Sequence, residues 1–370
     1  MNGRKTNTHA PLNEHALPLV LGLSHAFADA AAGALLVGLS HSMALSQVAL
    51  FVVLYNVIAF GAQPVFGHFA DRARRPREAA LAGLALLACA LFAARIDVST
   101  AVVLAGIGSS LFHVGGGALA LCATEGRATG PGLFAAPGVV GLAAGGALAF
   151  AGYDLTLPLA AALVALGLVV RRFGLPPMPY DARAAEPTLD GKELILVALL
   201  AAVALRSAVW TSAQYLFEGR YSMLLVLAFA ACAGKLVGGA LAELFGWRRW
   251  TAASLVAAAP LVLVGESSFA ALAGGVFLLQ SATPACIAAV GRLLPRRPAT
   301  AAGLALGLGI AAGGFFIFGG LFPSPRHALL APAALIVAAL CLWLAMRRKD
   351  EGRRRNDVSG LELLDLKSQI

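Results

Sequence analysis

The sequence predicts an all-α membrane protein with about twelve transmembrane helices. Three observations support this fold class. First, 59% of the 370 residues are hydrophobic and 13% are charged, whereas a soluble domain carries about 25% charged residues. Second, the apolar residues form long runs with no polar face, which suits helices surrounded by lipid. Third, the basic residues concentrate in every second segment between the runs, as in membrane proteins whose loops on one side of the bilayer carry the positive charge.

Apolar runs near the length of a bilayer core, about 20 residues, recur along the chain in two sets of six. The first six predicted spans are 17–39, 46–69, 79–95, 100–123, 132–152 and 155–173. The second six are 193–216, 222–245, 250–265, 268–293, 299–322 and 327–346. Glycine and proline interrupt the regions 132–173 and 299–346. The boundary between the two predicted helices of each region is therefore less sharply defined than the other boundaries.

The placement of positive charge predicts that both termini lie in the cytoplasm. Of the 28 Lys and Arg residues, three (Arg95, Arg220 and Arg326) fall on the predicted outer side and two (Arg206 and Lys235) fall within spans, which leaves 23 for the cytoplasmic segments. This asymmetry follows the positive-inside rule and predicts a multi-pass protein of a bacterial inner membrane. The net charge of +9 therefore reflects orientation in the bilayer, and we expect no nucleic-acid partner.

Several other classes of protein lack their signatures in this sequence. The segment from Met1 to Pro18 is polar and has no cleavage site, so we expect the first apolar run to be retained as a span. The five cysteines stand apart in apolar runs without a CxxC pair, which argues against a metal site or a disulfide framework. No Walker-type phosphate-binding run occurs, and we expect neither ATP nor another cofactor.

A polar, proline-rich segment divides the chain into two similar halves. We predict an N-terminal six-helix half at 1–174, a cytoplasmic linker at 175–192, a C-terminal six-helix half at 193–346 and a cytoplasmic tail at 347–370. Duplicated halves that meet at a site near the bilayer midplane are typical of secondary transporters, because alternating access moves one half against the other.

Two sequence motifs recur in the two halves. The run from Gly67 to Arg72, at the end of the second span, is echoed by the run from Gly239 to Glu243, at the end of the eighth. The offset between these runs is 172 residues. The glycine-rich segment 138–146 in the fifth span is likewise echoed by 307–314 in the eleventh.

The run Gly67-His-Phe-Ala-Asp71-Arg72-Ala-Arg-Arg75-Pro resembles the loop 2–3 signature of the major facilitator superfamily. That resemblance implies two pseudo-symmetric six-helix halves and a gating role for Gly67, Asp71, Arg72 and Arg75, with Glu243 as the echo of Asp71. An aspartate at a helix end can accept hydrogen bonds from the N-terminus of a neighbouring helix. Such contacts would hold the cytoplasmic side shut. The alternative is a simple basic membrane anchor.

The chain also resembles, more narrowly, the fosmidomycin-resistance branch of drug exporters. The segment from Gly106 to His113 in the fourth span carries this resemblance, together with His25 and Asp29 in the first. It implies proton-coupled efflux. The chain has Val114-Gly-Gly where that branch has Pro-Glu-Gly, so the glutamate of that branch has no counterpart here.

Ionisable side chains within spans are costly unless they face a cavity or a partner, which makes them candidates for transport chemistry. Asp29 lies in the middle of the first span with His25 one turn before it, and His113 reaches a similar depth in the fourth. We predict that Asp29 carries the coupling proton, with His25 and His113 as secondary carriers. The alternative is that His25 and Asp29 form a structural pair and that His113 only bonds a backbone carbonyl.

The C-terminal half carries two deep cations, Arg206 in the seventh span and Lys235 in the eighth. Arginine can bind a carboxylate, phosphate or phosphonate through two parallel hydrogen bonds. The remaining predicted substrate-binding residues are polar or aromatic side chains at comparable depth: Trp210, Gln214, Asn56 and Gln280. The alternatives are that both cations extend toward the membrane surface and that Trp210 only packs.

Together these features predict a secondary active transporter, not an enzyme, that moves a small molecule by alternating access coupled to protons. An organic anion or drug-like compound is the expected substrate, and a monomer is the expected assembly. A transporter-like membrane sensor that binds its ligand without flux is the alternative. A membrane enzyme is disfavoured because its clustered acids and histidines would lie in surface loops, which here are short.

Overall fold

The computed structural model describes residues 13–180, 192–217, 219–318 and 329–346. Within these ranges the chain consists of helices and connecting turns, with no β-strand. The predicted all-α fold class is confirmed. Predicted segments that fall on 1–12, 181–191, 319–328 and 347–370, including the whole tail, lie outside the described residues.

The N-terminal half contains six apolar helices in chain order. They are α1 (Asn13–Gly38), α2 (Leu45–Asn56, continued through a π turn by Gln63–Ala73), α3 (Pro76–Ala93), α4 (Val98–Ala123), α5 (Thr129–Phe150) and α6 (Thr156–Arg172). A short 3₁₀ turn at Leu39–His41 follows α1.

The described part of the C-terminal half contains six more. They are α7 (Glu193–Tyr215), α8 (Tyr221–Phe245), α9 (Trp247–Leu263), α10 (Phe269–Ser281 continued by Thr283–Leu293), α11 (Pro298–Ala302, a π turn at Gly303–Leu308 and Gly309–Phe318) and α12 (Leu330–Met346).

These helices match the predicted spans to within a few residues at most ends. Eight of the helices in the described part of the chain are long and apolar enough to cross a membrane, and two shorter apolar helices, Pro298–Gly314 and Leu330–Met346, follow them. The other two helices, α6 and α9, are 17 residues long and carry an arginine pair at one end. The sequence-based expectation of twelve spans therefore corresponds to twelve helices in the described ranges.

Three helices are interrupted near their middle. In α2, Pro64 follows a π turn at Val57–Gly61, and the side chain of Gln63 donates to the Ala59 carbonyl at 2.7 Å. Proline has no backbone N–H, so a side-chain donor can satisfy a carbonyl that the helix leaves without its usual partner. In α10, Pro284 follows a break at Ala282. The break in α10 lies between Gln280 and Thr283.

Helices α1 and α5 lie against each other along a stripe of small residues. A Cβ at Gly22 would lie 3.3 Å from the Pro137 ring, and one at Gly33 would lie 3.1 Å from the Gly146 nitrogen. Side chains are therefore excluded from this contact. Close approach through small residues is the usual way in which helices pack in lipid, where burial of apolar surface gives no driving force.

The most extensive contacts between the two halves are made by two helix pairs, α2 with α11 and α5 with α8, and α4 also contacts α11. Each pair joins a helix of one half to a helix of the other. Helix α6 ends at Arg172 and α7 begins at Glu193, so the boundary between the halves falls in the region where a linker is predicted. The predicted domain limits themselves stay a prediction.

Candidate functional site

A cluster of three ionisable side chains lies inside the N-terminal half, where α1, α4 and α5 meet. His25 is 4% exposed. Its Nε2 lies 3.2 Å from Asp29 Oδ2, one helical turn away, and 2.9 Å from the Nε2 of His113. Its other ring nitrogen, Nδ1, lies 2.9 Å from the carbonyl oxygen of Phe134. The predicted pair on α1 is therefore part of a triad that includes His113.

His113 is fixed by its own helix. Its Nδ1 lies 2.7 Å from the carbonyl oxygen of Ser109, one turn earlier on α4, and its Nε2 lies 3.9 Å from Asp29 Oδ1. The ligand atoms of His25, Asp29 and His113 lie within 4.8 Å of one another. A set of two imidazoles and one carboxylate at this spacing has the size of a site for a small cation.

Aromatic side chains enclose the triad. The His25 ring stacks on Phe134 at 4.7 Å between centroids and meets Phe112 edge to face. Phe60 meets the His113 ring in the same way. The hydroxyl of Tyr55 on α2 interacts with Ser109 and faces Asp29. These rings keep the triad largely out of contact with water.

A second polar cluster lies in the C-terminal half. Arg206 on α7 is 4% exposed, and its Nη1 donates to Gln280 Oε1 at 3.0 Å and to Thr283 Oγ1 at 2.8 Å. Thr283 also donates to Gln280 at 2.9 Å. The Arg206 Nε has no hydrogen-bond partner in the described structure. Within the described ranges no carboxylate forms an ion pair with Arg206, so its charge is uncompensated by direct contact.

Lys235 connects the two clusters. It lies on α8 in the C-terminal half, yet its Nζ donates at 3.2 Å to the Ala135 carbonyl on α5 of the N-terminal half. The adjacent carbonyl, that of Phe134, is the acceptor for His25. The charge of Lys235 also acts on Asp29 and on Arg206. The triad, Lys235 and Arg206 are together called here the charged strip.

The structure brings together some of the predicted substrate-binding residues and not others. Gln280 lies at Arg206, as described. Trp210 is half-buried and packs against apolar side chains. Asn56 donates to the Val52 carbonyl of its own helix at 2.8 Å, and Gln214 is half-buried. The contacts of these last three residues do not connect them to the charged strip.

The acidic residues predicted to act as a gate lie at the end of the bundle that carries the arginine pairs, called here the basic end. Asp71, at the end of α2, accepts hydrogen bonds from the backbone of Ala299 at 3.1 Å and of Thr300 at 2.7 Å. The Thr300 hydroxyl and the Tyr180 hydroxyl also donate to it. Asp71 thus caps the N-terminus of α11 in the other half, where a carboxylate is favoured by the free N–H groups and the helix dipole.

Glu243 makes the corresponding contact with the roles of the halves exchanged. Its Oε1 accepts from the Ala128 backbone at 2.6 Å, at the start of α5. Gly67 approaches Ala299 and Thr300 in the first contact, and Gly239 approaches Ala128 in the second. The side chains of Arg72 and Arg75, also predicted to gate, are exposed and make no hydrogen bond or ion pair with another described residue.

Several residues at these sites escaped sequence analysis. Thr283 and Ser109 are common small polar residues with no distinguishing spacing. The carbonyls of Phe134 and Ala135 belong to the backbone, so no side-chain pattern in the sequence marks them. Tyr180 lies in the predicted linker, where burial and the Asp71 carboxylate raise the pKa of its hydroxyl.

The fold and site define a polytopic helical bundle in which two similar halves contain a charged strip and contact each other at the basic end. Comparison with solved structures identifies this arrangement as the major facilitator fold. The E. coli fucose:proton symporter FucP superposes with a TM-score of 0.66 at 14% identity, covering 89% of this chain and 98% of that chain.

Two further structures are similar. The human organic anion transporter MFSD10 has a TM-score of 0.63 at 14% identity, covering 91% of this chain and 99% of that chain. A bacterial homologue of the iron transporter ferroportin, in an outward-facing state, has a TM-score of 0.61 at 14% identity, covering 89% and 99%. No protein-family model and no curated protein matches the sequence. Likeness at this identity establishes the fold, that of a multi-pass membrane protein.

Proposed function

We propose that the chain is a secondary active transporter of small organic anions and that protons drive it. Arg206 binds the anionic group of the substrate, with Gln280, Thr283 and Lys235 beside it. The triad of His25, Asp29 and His113 binds the coupling proton. The two halves move against each other around this strip, and the Asp71 and Glu243 contacts hold the basic end shut in the described conformation.

The observation that carries the proposal is that Arg206 is buried and forms no ion pair with a described carboxylate. A buried cation without a counter-charge costs several kcal/mol, which is recovered only when an anion or a set of good acceptors meets it. Two neutral oxygens, from Gln280 and Thr283, contact one of its nitrogens, while its Nε is without a partner in the described structure. A ligand carboxylate, phosphonate or sulfonate would supply both the missing acceptor and the missing charge.

The second cation strengthens the argument for an anion. Lys235 is bonded to a backbone carbonyl and not to a carboxylate. Asp29 is the only acidic side chain in the strip, and it already faces two histidines. One carboxylate cannot neutralise two fixed cations and a protonated triad. A bound anion is therefore stabilised and a bound cation is repelled.

Two of the structures with this fold are consistent with the proposal. FucP is described as a fucose:proton symporter, and MFSD10 as an organic anion transporter. Because their identity to this chain is 14%, they support a transporter and leave its substrate and coupling ion to be tested on this protein. Efflux is what the resemblance to drug exporters implies, and proton-driven efflux would require exchange of the substrate for protons.

Binding to a matched pair of ions tests the anion site. We would measure the affinity of the purified protein for benzenesulfonate and for benzyltrimethylammonium, which share an aromatic ring and differ in the sign of their charge. We expect the sulfonate to bind and Arg206→Ala to weaken it on the order of tenfold to hundredfold, since a hydrogen bond to a charged group contributes about 1.5–3 kcal/mol. Arg220→Ala is the control, because Arg220 is an exposed arginine in the loop after α7.

A preference for the cation would contradict the proposal, as would sulfonate binding that survives both Arg206→Ala and Lys235→Ala unchanged. The alternative function, a sensor that binds without transport, is distinguished by flux. Proteoliposomes that bind the sulfonate but show no uptake under any imposed gradient would favour the sensor.

A further inference from the structure

The histidines of the triad have their tautomers fixed by the backbone. Nδ1 of His25 faces the Phe134 carbonyl at 2.9 Å, and Nδ1 of His113 faces the Ser109 carbonyl at 2.7 Å. The Ser109 hydroxyl oxygen lies farther from His113 Nδ1, at 3.3 Å, and a hydroxyl oxygen can accept from the same N–H. A carbonyl oxygen only accepts hydrogen bonds, so each Nδ1 must carry a proton. In a neutral imidazole the other nitrogen then has a lone pair and no hydrogen. Both Nε2 atoms would therefore be acceptors if both rings were neutral.

Those two Nε2 atoms lie 2.9 Å apart. Two nitrogen lone pairs at that distance repel each other, whereas an N–H donor facing a lone pair at the same distance forms an ordinary hydrogen bond. One extra proton resolves the conflict, because it makes one ring an imidazolium whose Nε2–H is donated to the other. Asp29 stands 3.2 Å from the His25 Nε2, where it compensates the charge of that cation.

We infer that His25 and His113 share a single proton between their Nε2 atoms, with ionised Asp29 as its counter-ion, and that this proton binds together with the anion at Arg206. The second part rests on the proposed function. This inference changes the sequence-based assignment: Asp29 stabilises the coupling proton, and the histidine pair holds it. Loading takes one proton from water and unloading returns it, with no other bond formed or broken.

The charges around the pair determine the sign of the coupling. Tyr55 on α2 and Lys235 on α8 are the titratable groups of neighbouring elements that interact electrostatically with Asp29, and Arg206 on α7 interacts in the same way with Lys235. Helix α5, which also packs on the triad, contains no titratable residue. Without the shared proton, Asp29 offsets the charge of Lys235. With it, Asp29 offsets the imidazolium, and both Lys235 and Arg206 attract the anion.

Protonation therefore raises the affinity for the anion, and the anion raises the affinity for the proton by the same factor, because linkage between two ligands is reciprocal. Proton and anion then travel in the same direction on a carrier that binds both. An exchanger would require the opposite, a proton and a substrate that displace each other. The charge arrangement assigns symport and not the exchange expected of a drug exporter.

The first arm of the experiment tests the shared proton without any substrate. In full-length protein labelled with ¹⁵N-histidine and kept in a chelator, we expect a through-hydrogen-bond ¹⁵N–¹⁵N coupling between two Nε2 nuclei. His113→Gln should remove it, and His68→Gln should keep it, since His68 is an exposed histidine on α2. Two neutral rings without coupling would overturn the inference, as would a stoichiometric metal ion bound by the triad.

The second arm tests the linkage with benzenesulfonate, whose charge does not change over the pH range used. We expect its Kd to rise by up to about tenfold per pH unit as the pair loses its proton, the limit for one linked proton. In His113→Gln the change should fall below about twofold per unit, with the His68→Gln control unaltered. Binding with no pH dependence in the wild-type protein would overturn the inference and leave the proposed anion site intact. Absence of binding at every pH would instead count against the proposed function.

Discussion

At the scale of single residues, Gly138 controls the space available to the triad. A Cβ at this position would lie 2.7 Å from Asp29 Oδ2 and 2.6 Å from the His25 ring carbon Cδ2. We expect Gly138→Ala to displace both side chains, at a cost of about 1–3 kcal/mol for overpacking. Uptake driven by a pH gradient should fall sharply, while benzenesulfonate still binds at Arg206.

Gly38→Ala is the matched control for this prediction, because a Cβ at Gly38 meets nothing within 4 Å. It adds the same methyl group to the same helix-rich fold and should leave uptake unchanged. Gradient-driven uptake in Gly138→Ala at the wild-type rate would contradict the role given to the triad.

A second residue-scale prediction concerns the counter-ion. Asp29→Asn keeps the size of the side chain and removes its charge. We expect it to release the shared proton at lower pH than the wild type, since the imidazolium loses the carboxylate beside it. Substrate exchange should persist while accumulation driven by a pH gradient is lost. The measurement compares exchange and accumulation in the same proteoliposomes, and surviving accumulation would exclude this role for Asp29.

Some properties of these residues were predictable from the sequence and others were not. The depth of Asp29, His113 and Arg206 was predictable from their position within apolar runs, because charge there is costly without a function. The contact between His25 and His113 was not, since it joins residues 88 positions apart. The tautomer argument needs the positions of two backbone carbonyls, which no side-chain pattern encodes.

At the scale of helices, the Asp71 contact with α11 is predicted to act as a gate. Asp71→Asn keeps an acceptor but removes the charge that favours the α11 N-terminus, and loss of such a cap costs about 1 kcal/mol. We expect the basic end to open more often, which a thiol probe on a cysteine introduced at Ala299 would detect as faster labelling. Transport should slow while expression stays normal.

Glu243→Gln provides a matched test, because it removes the corresponding charge from the α5 N-terminus. Similar opening in the two single variants, and a larger effect in the double variant, would support two equivalent contacts. Unchanged labelling and unchanged flux in both single variants would refute gating at these positions.

The helices themselves were predicted well and their interruptions were not. Long apolar runs set the helix limits, because only a helix satisfies every backbone group in lipid. The π turns in α2 and α11 depend instead on local contacts, such as the Gln63 side chain bonding the Ala59 carbonyl. Such a bond is one of several that a glutamine can make, and the sequence does not select it.

At the scale of the whole molecule, the internal repeat is the most informative feature of the sequence. Asp71 and Glu243 are offset by 172 residues, and the backbone N–H groups that donate to them belong to Ala299 and Ala128 in the opposite halves. The repeated motif thus forms two equivalent contacts between the halves, one through Asp71 and one through Glu243. Which helices carry those contacts was not readable from the repeat, because the pairing arises only when the halves assemble.

Orientation in the membrane is a prediction at the same scale. The distribution of basic residues places both termini in the cytoplasm. A reporter fused to the C-terminus should give a cytoplasmic signal, and one inserted after Gly152, in the turn between α5 and α6, should give a periplasmic signal. The reverse pattern would place the Asp71 and Glu243 contacts on the outer side.

The central claim, that proton and anion cross the membrane together, is tested most directly by the pH inside proteoliposomes. An inward gradient of benzenesulfonate is imposed on vesicles that contain a trapped pH indicator and start with equal pH on both sides. The account predicts acidification of the lumen that follows sulfonate uptake and is lost in His113→Gln but not in His68→Gln. Sulfonate uptake with no change in lumenal pH, or with alkalinisation, would contradict it.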